Sequence, residues 1–150
     1  MIVKSTRLGK LDVDPDKLIQ FPKGILGFPN HPKYVLIQPS EDSYFYWLQA
    51  VDREDLAFVV TDPSLFVPTY RIPIKEEQMH EIGIGSLDEA QVFVIVNKRD
   101  DVLTGNLQGP LIIHVPKRVG AQLVLSDRKF TTRVPLVELG VGAETMSAAG

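Results

Sequence analysis

Cysteine is absent from all 150 residues, which excludes a disulfide framework and a thiolate metal site. No apolar run approaches the ~18 residues that a membrane-spanning helix needs. The opening Met1-Ile-Val-Lys-Ser lacks the apolar stretch of a signal peptide. An excess of cations is missing too: the net charge is −3, whereas a general nucleic-acid binder is normally basic. The expectation is a soluble cytoplasmic protein with no membrane and no direct nucleic-acid partner.

Catalytic constellations are equally scarce. His31, His80 and His114 lie far apart, without H-E-x-x-H spacing, and no serine sits in G-x-S-x-G. Gly83-Ile-Gly85 has no third glycine at Asp88, so it forms no dinucleotide fingerprint. Asp12, Asp14 and Asp16 open like a calcium loop, but Lys17 and Lys23 stand where an EF-hand needs Gly and Glu. The chain is therefore not expected to be an enzyme, to carry a cofactor, or to need a metal for folding. Carboxylate pairs such as Asp52 with Asp55 keep a carboxylate hydrolase open as an alternative, although such pairs are common by chance.

What the chain does have is strand. Residues 92–96 (Val-Phe-Val-Ile-Val) form one unbroken apolar run, and residues 111–115 (Leu-Ile-Ile-His-Val) nearly form another. Short β-branched and aromatic runs suit strands covered on both faces. The charged turn at Lys98, Arg99, Asp100 and Asp101 lies between them, so they read as the central antiparallel pair of a β-rich domain. His114, within the second run, reads as a buried histidine with its bonds satisfied. Further strands are expected at 2–6, 8–13, 34–38, 44–51, 56–61 and 121–126, with an extended segment at 68–73. One helix is expected over 74–82, with Glu76 and Glu77 in its first turn and Gly83 at its C-terminal cap. Asp62-Pro63 starts a short helical turn at 64–66. Residues 135–139 read as a last turn and His31 as an exposed spacer. One domain over 1–140 and a loose tail over 141–150 follow.

Charge is unevenly spread. Residues 41–89 hold eleven Asp/Glu against three Lys/Arg, while the segments on either side are positive. This excess is either a solvated set of loops or a face meant for a basic partner. Glu41, Asp42, Asp52, Glu54 and Asp55 flank the aromatic strand 44–51, opposed only by Arg53. An aromatic row can stack bases, which leaves an OB-like nucleic-acid module as a second alternative, but that platform normally comes with a basic groove. The most distinctive stretch is Phe21-Pro-Lys-Gly-Ile-Leu-Gly-Phe28-Pro29. Its glycines permit left-handed backbone and its prolines fix φ at either side. Phe21, Ile25 and Phe28 can then fold back as an apolar knot, either a rigid core-packing turn or a partner-binding loop.

Several stretches, in order, resemble the FliW family of flagellar assembly factors. They are Phe21-Pro-Lys-Gly-Ile-Leu-Gly-Phe28; Trp47-Leu-Gln49 with Asp52; Thr61-Asp62-Pro63 before Phe66 and Tyr70; Asn106 through His114; and Gly120-Ala-Gln122. The likeness runs from about residue 1 to 127. Gly109 and His114 depart mildly from the family pattern, which has alanine and asparagine there. The resemblance implies a mainly β fold: a small closed or nearly closed antiparallel β-barrel with one or two short helices, monomeric when free. It implies a non-enzymatic cytoplasmic protein that holds newly made flagellin and binds the RNA-binding regulator CsrA, keeping it from the flagellin messenger. Partner-binding candidates for the amphipathic ends of flagellin are Phe21, Ile25 and Phe28, or Phe66 in the turn Leu65-Phe66-Val67. For basic CsrA they are Glu41, Asp42, Asp52, Glu54 and Asp55, with Asp52, Glu54 and Asp55 to be reversed together, and then Glu76, Glu77 and Glu81.

Overall fold

Two strands stand apart from the rest: β1 (Ile2–Ser5) and β2 (Gly9–Asp12) form a hairpin of their own. The computed structural model describes residues 1–72, 75–81, 83, 87–126 and 129–139. After the hairpin come β3 (Ile19–Gln20), β4 (Lys33–Ile37), β5 (Phe45–Ala50) and β6 (Ala57–Thr61). The six-residue helix α1 (Glu76–Glu81) follows, and then β7 (Ala90–Arg99), β8 (Val102–Gly105), β9 (Leu111–His114), β10 (Val119–Gln122) and β11 (Val134–Glu138). Strands β3 to β7 pair in sequence, β7 pairs with β9, β9 with β10, and β10 returns to β3, so the hydrogen bonds run in a ring. This is a nearly closed β-barrel. Every pairing is antiparallel except the closing one, where Val119 lies parallel to Gln20.

The ring explains the unbroken apolar runs. Along β7, Phe93 and Ile95 point into the barrel with Tyr34, Leu48, Leu111 and Ile113. Val92 and Val94 point outwards into a second core with Tyr70, Leu107 and Ile112. Along β4, Tyr34 and Leu36 face inwards, while Val35 and Ile37 face a third core beneath the β1–β2 hairpin with Val3 and Val13. A strand covered on both faces has no reason to alternate apolar with polar.

The expected central pair is present in register, with Val92 opposite Ile112 and Phe93 opposite Leu111. Five details differ from the sequence reading. Residues 102–105 form β8, a strand not anticipated in that connection. Residues 134–138 are β11 rather than a turn, paired with β8 across a bulge at Pro135. β10 starts at Val119 and ends at Gln122, earlier than expected. Residues 68–72 form no strand; instead the Tyr70 hydroxyl donates to the Leu107 carbonyl. α1 begins at Glu76, with Lys75 outside it, later than expected; Ile74 and Ile82 lie outside the described residues, as does the tail 141–150, while Gly83 has the left-handed φ of +71°. Asp14 caps the 3-10 turn Pro15–Lys17 by accepting the Asp16 N–H, and Asp12, at the end of β2, lies 3.4 Å from the Met1 amine. No helix among the described residues is long and apolar enough to cross a membrane.

Candidate partner-binding surfaces

The signature stretch makes two tight turns. Gly24 N–H donates to Phe21 O at 2.7 Å, and Phe28 N–H to Ile25 O at 2.6 Å. Gly27 sits third in the second turn with φ +92°, and Leu26 is not among the residues of positive φ, so the turn is type II. Gly24, at φ +68°, has no room for a side chain: a Cβ there would lie 2.4 Å from Phe28 O. Phe21 and Ile25 are 0% and 1% exposed in the barrel core. The Phe21 ring packs edge-on to Tyr34 and sits where a Cβ on Gly120 would be, 2.6 Å from its Cε1. Phe28 is half-buried against Phe58. In this conformation Phe21 and Ile25 offer a partner no side-chain surface; the residue put outside is Leu26, 74% exposed.

The turn after β5 abuts this loop. His31 Nδ1 lies 3.0 Å from Asp52 Oδ1, and the Arg53 guanidinium stands 6.0 Å from the centre of the Phe28 ring. His31 is thus a half-buried partner of Asp52 rather than an exposed spacer. Buried Gln49 shapes the turn, its Nε2 lying 3.1–3.3 Å from the carbonyl oxygens of Ala50, Arg53, Glu54 and Leu56, which share its two N–H protons. Asp52, Glu54 and Asp55 are all exposed. The hydrogen bond from Arg53 Nε, 2.8 Å from Asp55 Oδ1, holds that carboxyl below its ordinary pKa.

Phe66, Glu41 and Asp42 lie at the other end of β5, whereas Glu76, Glu77 and Glu81 belong to α1. Phe66 stacks on Phe45 with centroids 5.8 Å apart, beside exposed Leu65, and Glu41, Asp42, Tyr44, Asp62 and Leu65 line one hollow. Six residues of strand span roughly 20 Å, well beyond the ~8 Å over which exposed charges act at physiological salt. The acids flanking the aromatic strand therefore form two separate clusters, not one face. Among the site residues read from the sequence, the fold gathers Phe28, Asp52, Glu54 and Asp55 on one end and leaves Phe66 on the other.

Sequence reasoning missed a groove. Loop residues Pro22, Lys23, Gly24 and Leu26 form one wall, Gln78 and Glu81 of α1 another, and Gly120 to Val124 the floor, enclosing about 280 Å³. Leu26 and Val124, the latter 66% exposed, are its apolar projections. Lys23 Nζ reaches Glu81 Oε1 across the rim at 3.3 Å. Gln122 ties floor to loop: its Oε1 accepts the Leu26 N–H at 2.7 Å while its Nε2 donates to Gly109 O at 3.0 Å. The sequence held one clue, an apolar residue before the glycine of a tight turn, where side chains point to solvent. Elsewhere His114 is buried and satisfied: Nδ1 accepts the Lys117 N–H, which puts the ring proton on Nε2, 2.8 Å from Glu89 Oε2.

Residues 2–136 match the FliW protein family model. A flagellar assembly factor FliW from Leptospira biflexa is 36% identical over 133 residues, covering 87% of each chain. Another, from Desulfitobacterium hafniense, is 33% identical over 147 residues and covers 97% of each. A crystal structure of the flagellar assembly factor FliW superposes with a TM-score of 0.84 at 29% identity, over 91% of this chain and 96% of that one. The chain belongs to the FliW family of flagellar assembly factors.

Proposed function

We propose that this protein is a non-enzymatic cytoplasmic binding factor that holds flagellin and antagonises CsrA, and that these two partners couple flagellin translation to export. The observation that carries the reading is the end of the barrel bearing the family's signature loop. There, tight turns hold an exposed leucine beside a groove, and Gln49 shapes an exposed turn carrying Asp52, Glu54 and Asp55. An apolar projection beside a groove suits an amphipathic helix. An acidic turn suits a partner that is basic where it grips phosphates. An acidic protein docked beside that basic surface repels RNA without filling the RNA site. The test is isothermal titration of the full chain with purified cognate flagellin and, separately, with CsrA. Saturable binding of both is expected; no heat and no co-elution with either would overturn the proposal.

A further inference from the structure

We infer that Gln122 is a positioning residue that holds Leu26 outside the core as a rigid anchor for one amphipathic flagellin helix, an inference that rests on the flagellin reading above. The first N–H inside a type II turn has no partner within the turn, and in this loop the Gln122 side chain accepts it. The loop is thus fixed from within by its two turns and from outside by Gln122. An anchor that is already ordered loses little freedom on binding, which favours affinity. Gly109 lies against the latch: its carbonyl accepts the Gln122 Nε2 hydrogen bond, and its own N–H donates to Asn106 Oδ1.

The groove itself sets the occupant. It suits a pair of aliphatic side chains one helical turn apart, packed between Leu26 and Val124. Charge fixes the flank of that helix. At the groove Glu81 is paired with Lys23, and exposed Glu76 and Glu77 on the same helix, with Lys75 and Lys117 as the nearby cations, are the acids that can meet a lysine or arginine beside the apolar stripe.

The experiment compares the parent with Gln122→Ala, Leu26→Ala and the double variant. Flagellin affinity is measured by titration and the Leu26 amide is followed by hydrogen exchange, with a thermal melt to confirm folding. In Gln122→Ala the Leu26 amide should exchange at least about tenfold faster, and flagellin should bind about tenfold more weakly, the scale of losing an interface anchor. Leu26→Ala should match that loss, and the double variant should bind no more weakly than either single, since one acts through the other. Parental affinity in folded Gln122→Ala or Leu26→Ala overturns this inference while flagellin binding stands. A parent chain that fails to bind flagellin overturns the reading beneath it and removes the occupant named here.

Discussion

Two tyrosines make opposite contributions. Tyr70 donates its hydroxyl to the Leu107 carbonyl, whereas the Tyr34 hydroxyl is buried with no hydrogen-bond partner among the described residues. Tyr70→Phe should therefore cost about 1 kcal/mol in urea denaturation, and Tyr34→Phe should be neutral or slightly stabilising. Burial pushes the Tyr34 phenol up to about 12, and the Asp52 carboxylate adds to the rise. Its contribution is intact below the unfolded value of about 10 and is lost as pH rises through the folded one. The urea midpoint should fall between those values, and Tyr34→Phe should flatten the fall. The glycines of the signature loop separate in the same way. Gly24→Ala combines a left-handed φ with a collision against Phe28 O and should cost more than about 2 kcal/mol. Gly27→Ala meets nothing within 4 Å and should cost about 1 kcal/mol from its φ alone. A measured order of Gly27→Ala above Gly24→Ala would contradict this packing. The need for glycine in the loop was legible in the sequence; which of its apolar side chains turns inwards was not. That depends on Phe21 meeting Gly120, a contact between residues about a hundred positions apart.

At the scale of elements, the β1–β2 hairpin gives the outer wall of β4 and β5 its cover. Val3 packs with Val13 and Val35, Arg7 stands 5.0 Å over the Trp47 ring, and Thr6 N–H donates to Glu54 O at 2.8 Å. Val3→Ala should cost roughly 1–3 kcal/mol, and the Thr6 amide should exchange faster. An unchanged urea midpoint would show that the hairpin is not part of the cooperative fold. The strands that form both walls were legible because β-branched and aromatic runs such as 92–96 and 57–61 exceed what any turn would carry. β8 was missed because only Val102 and Leu103 are large and apolar in it, directly after the charged turn. β11 was missed because Pro135 reads as a break, and it is tolerated here at a bulge on an edge strand. The two-residue β3 is held between neighbours distant in sequence, Lys33 on one side and Val119 on the other, and only the closed ring defines it.

For the whole molecule, the fold divides an acidic segment into two ends and sets one of them beside the signature loop. Exposed ion pairs contribute only ~0–1 kcal/mol each, so the acidic turn should act as a cluster rather than through one residue. Changing Asp52, Glu54 and Asp55 together to Lys should slow association with CsrA and flatten its salt dependence, with a thermal melt to confirm folding because Asp52 and Asp55 lose their His31 and Arg53 partners. The same substitutions on Glu41 and Asp42, at the far end of β5, should leave that rate nearer the parent value. The decisive measurement is a three-component titration in which labelled flagellin-messenger leader RNA is bound to CsrA and this protein is added, followed by flagellin. The account predicts release of the RNA on the first addition, rebinding on the second, and no release by the triple Lys variant. RNA that stays on CsrA at saturating protein would contradict it.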